Sequence, residues 1–529
     1  METAHLASSP VSGLNPRHIS LAHFPALKSQ ITLCDGPHDQ IAVGAPFTGE
    51  VIATIPAARD SDVELAVQRA RAAQPEWAAS SFTDRANVFL RFYDLLIKRH
   101  EEALDLIQLE TGKARCHAYE EILDTAIVSR YYALHAQRVL RPRRRKGAFP
   151  LLTQTWEFHS PVGVAGFIVP WNYPLNLAVT DAVPALMAGN TAVLKPDRQT
   201  SFTALWAVGL LREAGLPVDV FPAVTGDGSV VGPSLAARVN FLMFTGSTST
   251  GKSVAARAAS RLIGCSLELG GKNPMIVCAD ADVEAAVSGA IRGCFTAAGQ
   301  LCVSIERIYI HDSIVERFAA RFADRARKLK MGAALDYSVD LGSLTSPRQL
   351  AKVEEHVHEA VDKGATLLAG GRRRPELGPL FYEPTILTDV RENMKAYAEE
   401  TFGPVVSLYK FTSEQEAIER ANATPYGLNA SVWTRNINHG IDLARQVRAG
   451  SVNVNEAYMA AWGSVDSPIG GMKESGISRR HGEEGILKFT EAQTVAVQRL
   501  PVVPPARMTW DTFAHWLIRL LKLLRFLPG

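Results

Sequence analysis

Val162-Gly-Val-Ala-Gly-Phe-Ile-Val169 is a short apolar run between Pro161 and Pro170, and its reading decides the fold. It is too short for a typical globular helix and suits a strand buried on both faces. Similar runs follow at Asn190-Thr-Ala-Val-Leu-Lys195, Val218-Asp-Val-Phe-Pro-Ala-Val-Thr-Gly226, Asn240-Phe-Leu-Met-Phe-Thr-Gly246 and Asn273-Pro-Met-Ile-Val-Cys278. Each is bounded by Gly, Pro or Asn and leads into a helix-compatible segment. That alternation predicts βαβ units around a parallel sheet. It recurs in RIYIHD, ATLLAGG, PTILTDV, VVSLYKF and SVWT between residues 307 and 434, which predicts a second α/β domain.

Upstream, apolar residues recur at three and four over Asp60–Ala79 and again over Asp84–Gln108, so two helices are expected. Asp60 suits the N-cap, and Asp62 and Glu64 suit the first turn. The basic run Arg141, Arg143, Arg144, Arg145 and Lys146 reads as a solvated loop, or else as a contact for an anionic surface. Leu151–His159 beyond it alternates like a strand.

The chain has 529 residues, 47% of them hydrophobic, with 56 Lys plus Arg against 54 Asp plus Glu. The length suits more than one domain and a large core. The charge balance argues against a nucleic-acid-coating protein, and the hydrophobic fraction against disorder. Cys34, Cys116, Cys265, Cys278, Cys294 and Cys302 form no CxxC pair and no cluster with His, so no metal site is expected and the thiols read as reduced. Residues 1–10 lack the basic and apolar regions of a secretory leader. No eighteen-residue uncharged apolar stretch exists, so no membrane span is expected. A cytoplasmic protein follows from these features.

Two constellations carry chemistry. Gly246-Ser-Thr-Ser-Thr-Gly251-Lys252-Ser253 fits the P-loop pattern after a strand, so a P-loop NTPase is one reading; Asp312 or Asp389 would then hold magnesium. A dinucleotide pyrophosphate would suit the same glycine turn and free helix N–H groups. Gly226, Gly228 and Gly232 follow another apolar run, but not with GxGxxG spacing. The second constellation is Glu268 in Leu267-Glu-Leu269-Gly-Gly-Lys-Asn-Pro274, Cys302 after Gly299-Gln-Leu, and Asn172 in Pro170-Trp171-Asn-Tyr-Pro174. A carboxylate, a thiol and an amide supply base, nucleophile and oxyanion donor. Singly, each has a structural reading: a small core thiol, a paired charge, a turn amide.

Together these motifs resemble the NAD(P)-dependent aldehyde dehydrogenase superfamily over roughly residues 45–500. Also similar are Glu110-Thr-Gly-Lys113, Val193-Leu-Lys-Pro196, Phe244-Thr-Gly-Ser247, Glu400-Thr-Phe-Gly-Pro404, residues 422–428 and residues 470–476. The resemblance implies a thiolate attack by Cys302, an oxyanion held by Asn172, and a water activated by Glu268 to release the acid from a thioester. It implies that Lys195 and Glu400 contact the riboses and that Phe402 packs near the nicotinamide. Pro170, Trp171, Gly226, Gly246, Ser247, Gly251 and Leu269 complete the implied cofactor site. On this reading the P-loop match is the cofactor turn.

The implied architecture is α/β: two doubly wound Rossmann-like domains plus a β-ribbon oligomerisation element. Residues 1–140 and 160–271 form the cofactor domain and 272–475 the catalytic domain. Residues 141–159 and 476–500 form the ribbon and return segment, with Phe149–Phe158 pairing with Thr490–Leu500, and 501–529 an amphipathic tail. A homodimer or homotetramer follows.

Three departures sharpen the reading. Family members that prefer NAD usually carry Glu where this chain has Arg198. A guanidinium pairs with a 2′-phosphate instead, so NADP is expected over NAD. Arg480 stands where many members have a proton-relay Glu. The motif variants resemble the NADP-type succinate-semialdehyde dehydrogenase subgroup, whose well-studied enzymes bind the substrate carboxylate through two arginines; Thr180 and Thr296 occupy those positions. Tyr458, Met459 and Trp462 are expected in the substrate funnel, so an apolar or aromatic aldehyde is the alternative substrate, with Arg292 or the Lys473 region as candidate compensating cations. After Pro501–Pro505, Asp511, His515, Arg519 and Lys522 share one helix face opposite Trp510, Phe513, Trp516 and several leucines. That face suits either docking within an oligomer or a peripheral membrane contact.

Overall fold

The computed structural model describes residues 16–148, 152–499 and 502–526. Residues 1–10 of the leader argument, Phe149, Leu151, Leu500 and Pro501 lie outside them. The chain forms two units, Met1–Val139 with Pro161–Glu491, and Leu140–Ser160 with Ala492–Gly529.

The first unit holds two largely parallel sheets. One runs Gly476–Ile477, Gly264–Glu268, Phe241–Thr245, Val164–Ile168, Thr191–Lys195 in spatial order, and only its first strand is antiparallel. The run at 162–169 thus becomes the strand beside the sheet's edge, buried along its length. The other sheet runs Thr366–Ala369, Thr385–Thr388, Val405–Phe411, Ile305–His311, Asn273–Val277, Asn429–Trp433, Ser451–Val454. Continuous Val, Ile, Leu and Phe in the central strands of both sheets give buried faces on both sides, which helices cover. Strand C-terminal ends therefore converge on Asn172, Glu268 and Lys195, where open α/β sheets bind ligands.

Several expectations change. Val218–Gly226 is not a regular strand: Val218–Val220 is a 3₁₀ turn, and only Ala223 bridges to Ile31 and Leu194. Pro222 has no N–H to extend that ladder. The helix Asp60–Ala79 has Arg59, not Asp60, as its N-cap; the Asp62 carboxylate accepts from the Arg59 N–H at 2.6 Å and from the Cys34 N–H at 2.6 Å. The segment expected as Asp84–Gln108 is two helices, Phe82–Lys98 and His100–Thr111, broken at Arg99. Residues 476–477, expected with the ribbon, instead extend the first sheet.

The second unit carries a three-stranded sheet ordered Thr490–Gln498, Thr153–Pro161, Arg143–Arg145. The basic run is therefore an edge strand and not a loop; Arg145 pairs with Glu157 at 2.7 Å across it. The tail contains the helix Trp510–Leu524, capped by Thr509. Among the described residues no helix is long and apolar enough to cross a membrane, and no cluster of His, Cys, Asp and Glu has a metal-binding arrangement.

Candidate active site

The loop bearing Cys302 is shaped by left-handed backbone. Helix Val283–Phe295 ends, and Ala297, Ala298 and Gly299 follow at φ 51°, 55° and 70°. A Cβ on Gly299 would stand 2.0 Å from the Gly403 carbonyl oxygen, so only glycine fits the close approach. The Gln300 side chain ties the turn down, accepting from the Thr345 N–H at 2.9 Å and donating to the Ala297 carbonyl at 3.0 Å. Asn273 donates to the carbonyls of Cys302 and Ser304, both at 2.8 Å.

Asn172 follows the strand Val164–Ile168 and precedes the helix Pro174–Val179. Its side-chain amide donates to the Gln300 carbonyl at 3.1 Å, which brings it to the Cys302 loop. An amide carries two N–H donors, so one remains for a ligand. Its carbonyl accepts from the Lys113 ammonium at 2.5 Å. Lys113 also pairs with Glu121 at 2.8 Å, and Glu121 caps the helix by accepting from the N–H groups of Leu175 and Asn176. All of these side chains are buried.

Glu268 ends the strand Gly264–Glu268, and its buried Oε1 has no hydrogen-bond partner. Burial raises its pKa to about 7, while Arg480 and Lys488 act to lower it. Burial, with the carboxylates of Glu268 and Glu400, pushes the Cys302 thiol up to about 12; Arg480 opposes them. The resting nucleophile is thus a thiol beside a carboxyl group poised near neutrality, the arrangement that base-assisted attack requires.

The expected cofactor residues gather on the same side. Helix Thr248–Ser260 starts directly after Gly246 and Ser247, and Ser247 is its N-cap. Gly251 packs so closely that a Cβ would lie 2.4 Å from the side chain of Leu269. Lys195, a buried residue, ends its strand, and among the described residues none accepts a hydrogen bond from its ammonium. A donor left without a protein acceptor fits a ligand hydroxyl. Gly226 (φ 141°) and Asp227 lie nearby, and Gly228 would bring a Cβ within 3.6 Å of the Lys195 ammonium. Arg198 is exposed and pairs with Asp227 at 3.2 Å. Glu400 accepts from the Gly271 N–H at 2.8 Å. Phe402 meets Trp171, next to Pro170, edge to face at 5.5 Å. Its loop is held by Glu306, which accepts from the N–H groups of Thr401 and Phe402 and pairs with Lys272 at 2.5 Å. An anion-accepting helix start, a free ammonium and a carboxylate suit pyrophosphate and ribose, so these residues fit a nicotinamide dinucleotide.

The P-loop reading is overturned. Residues 248–253 are helical and do not wrap a phosphate; Lys252 points to Glu474 at 2.9 Å, and Asp312 and Asp389 follow strands of the other sheet.

A cavity of about 500 Å³, including its mouth, opens between residues flanking Asn172 and Cys302. Tyr173, Leu301 and Val303 form its base; Leu123, Ile127, Met459 and Trp462 give apolar walls; Tyr458, Glu120, Asp124 and Asn176 are polar. Tyr458, Met459 and Trp462 thus stand where the sequence placed them. The hydroxyls of Tyr173 and Tyr458 donate to Glu120 at 3.0 and 2.9 Å, and burial raises the pKa of that carboxyl. No lining residue is cationic. The Thr296 hydroxyl lies 3.2 Å from the Tyr458 hydroxyl, whose proton goes to Glu120, and Thr180 accepts from Arg480 at 2.6 Å. Lys473 is tied to the carbonyls of Asn422 and Thr424, whereas Arg292 pairs with Glu456 and acts on Glu120 and Tyr458 of the wall.

The sequence reading missed Glu120, Glu121, Asp124, Asp181 and Lys488. Charges on a long helix read as a solvated face, and no spacing rule announces partners hundreds of residues away. Lys113 had a signal, as the last residue of a quoted motif.

A loop cysteine, a strand-end glutamate and a turn amide, beside a strand–turn–helix suited to a dinucleotide, are the arrangement of a nicotinamide-dependent oxidoreductase. Residues 34–495 match the description "Aldehyde dehydrogenase family". The chain is 47% identical over 96% of its length to a Mycolicibacterium smegmatis protein provisionally named succinate-semialdehyde dehydrogenase (NADP+), covering 99% of that protein. It is 49% identical over 91% of its length to a similarly named Mycobacterium tuberculosis protein, covering 93% of it. A crystal structure of an Escherichia coli NADP-dependent enzyme superposes with a TM-score of 0.85 at 34% identity, over 90% of this chain and 99% of that one. The chain belongs to the aldehyde dehydrogenase family and is an NAD(P)-dependent enzyme.

Proposed function

We propose that this chain oxidises succinate semialdehyde to succinate, preferring NADP+ and able to use NAD+. The carrying observation is the Asn172–Gln300 hydrogen bond, which brings the Asn172 amide to the Cys302 loop beside a cavity lined by Tyr173, Leu301 and Val303, with the Glu268 carboxylate close enough to act on the Cys302 thiol. Glu268 takes the thiol proton as Cys302 adds to the aldehyde carbon. The free Asn172 N–H and the Cys302 N–H donate to the oxyanion, each such donor being worth about 3–4 kcal/mol in the transition state. The chemistry the cofactor supplies when bound is hydride acceptance, which leaves a thioester on Cys302. Glu268 then draws a proton from water as it attacks the thioester, and the acid leaves with the thiol restored.

The substrate reading follows the names of the two relatives, and Arg292, which acts on Glu120 and Tyr458 of the cavity wall, is the cation that would serve its carboxylate. NADP+ preference rests on the same names and on Arg198 at the rim, where a 2′-phosphate would replace Asp227 as its partner. One observation favours a second substrate reading: the wall holds two carboxylates and no cation, so a hydrophobic aliphatic or aromatic aldehyde avoids placing a carboxylate beside them. Steady-state kcat/KM for succinate semialdehyde, hexanal and benzaldehyde with each cofactor tests both. A succinate semialdehyde value far below the other two refutes the first reading, and a clear NAD+ preference refutes the cofactor reading.

The domain limits from the sequence accompany this proposal, the two sheets serving as cofactor and catalytic halves. The three-stranded sheet ends on the strand Thr490–Gln498, an edge to which a neighbouring copy's sheet can add, which supports a homodimer or homotetramer. Six unpaired cysteines suit a cytoplasmic setting. The tail helix keeps Trp510, Trp516, Ile518, Leu521 and Leu523 exposed, which supports a peripheral contact with anionic lipid. Light scattering and liposome pelleting with and without residues 506–529 test these; a monomer at micromolar concentration, or pelleting unaffected by the deletion, refutes them.

A further inference from the structure

Arg480 is a fully buried guanidinium beside the catalytic base, at a position where many family members carry a carboxylate. Its backbone is fixed by a two-way bridge with Ile469, at 2.9 and 2.7 Å. The next residue, Gly470, lies against the base: a Cβ there would stand 3.0 Å from Glu268 Oε1. The side chain reaches Asp181 with Nε at 2.9 Å and donates to Thr180 at 2.6 Å. Lys488 takes the other oxygen of Asp181 at 3.0 Å and donates to Ser266 at 3.1 Å. Ser266 and Glu268 are two apart on one strand and share a face.

Arg480 and Lys488 therefore share the Asp181 carboxylate, and with Arg479, which also acts on Glu268, the three positive charges exceed the negative charges of Asp181 and an ionised Asp124 by one. The groups that face it are few. Glu268 and Cys302 draw on Arg480, as does Asp124 from the helix Arg115–Leu140, whose carboxyl burial raises to about 6. Arg479 also acts on Glu268. His481 is buried between them and is pushed down to about 3, so it stays neutral. A lone buried charge is costly unless a counter-charge meets it. Here the counter-charge is the one that the reaction moves.

Resting on the assignment of Cys302 and Glu268 as nucleophile and base, we propose that Arg480 is a positioning residue. Anchored on Asp181 and joined by Lys488, it supplies the uncompensated positive charge that holds the negative charge exchanged between Cys302 and Glu268. In that exchange the Sγ–H bond breaks and an Oε–H bond forms. The charge passes from carboxylate to thiolate while the guanidinium stays fixed, so both forms keep the same counter-ion. A cation thus does here, by electrostatics, what a relay carboxylate does by proton transfer.

The test compares Arg480→Gln, Arg480→Lys and Asp181→Asn in the full-length enzyme. The pH profiles of kcat and of Cys302 alkylation by iodoacetamide are the readouts. Loss of the cation raises both pKa values, so Arg480→Gln moves the acid-side midpoints up by about one pH unit or more. Loss of the anion acts oppositely, so Asp181→Asn moves them down, and Arg480→Lys leaves them near the native value. Opposite shifts are a result that general loosening of the fold does not produce. If Arg480→Gln fails to fold, Lys488→Met replaces it and shifts upward, and if Asp181→Asn fails to fold, Asp124→Asn replaces it and shifts downward. Midpoints that stay within a few tenths of a unit, or that move the same way in Arg480→Gln and Asp181→Asn, overturn the proposal. Full turnover in Cys302→Ala would instead overturn the underlying catalytic assignment.

Discussion

The Lys113 ammonium donates to the Asn172 carbonyl at 2.5 Å, from a site where both residues are buried. Glu121 completes the post, binding Lys113 and capping the helix that starts two residues after Asn172. Lys113→Met leaves Glu121 as an unpaired buried charge, which costs about 3–5 kcal/mol of stability. It also frees the oxyanion turn. We expect a lower melting temperature together with a kcat loss, while KM for the cofactor stays unchanged. A KM effect confined to the cofactor would place Lys113 elsewhere in the mechanism.

The Glu268 carboxyl, raised by burial to about 7, makes activity pH-dependent. The base acts only when ionised, so kcat rises with pH through that value and is lost below it. Because the folded pKa lies above the unfolded one, this group's stability contribution runs the other way: it is complete below the unfolded value and disappears as pH rises through about 7. Glu268→Gln should lower kcat by roughly 10²–10⁴ and flatten the profile. An unchanged acid limb in that variant would assign the titration to another group.

On the proposed function Arg198, exposed and paired with Asp227, reads the 2′ position of the cofactor. Arg198→Ala should raise KM for NADP+ by about tenfold, the value of a charge-assisted bond to phosphate, and leave KM for NAD+ nearly unchanged. Equal changes for both cofactors would show that the side chain does not read the 2′ position.

Arg292 borders the cavity wall through Glu120 and Tyr458. Arg292→Met should raise KM for succinate semialdehyde by about tenfold and leave hexanal untouched, since an apolar tail has no use for the cation. Equal effects on the two aldehydes would remove Arg292 from substrate recognition.

The buried strands were legible because continuous Val, Ile and Leu between Gly and Pro has few other uses, and the candidate trio stood out because a thiol, a carboxylate and an amide each sat in a motif marked by Gly or Pro. The helix break at Arg99 was not, since the apolar period continues across it. Arg143–Arg145 was hidden because charges on an edge strand look like a solvated loop. Glu120, Asp124 and Lys488 were hidden for the reason that makes them matter. Each is a charge whose burial depends on a distant partner, such as the Lys488–Asp181 contact across 307 residues.

The central claim is that oxidation passes through a thioester on Cys302. Glu268→Gln, mixed with an aldehyde and NADP+, should form one equivalent of NADPH in a single burst, slowed because the attack also lacks its base, and then stall because the thioester is not hydrolysed. Intact-mass and peptide analysis should find the acyl group on Cys302. A burst without an acyl adduct, or an adduct on any other residue, would contradict the account.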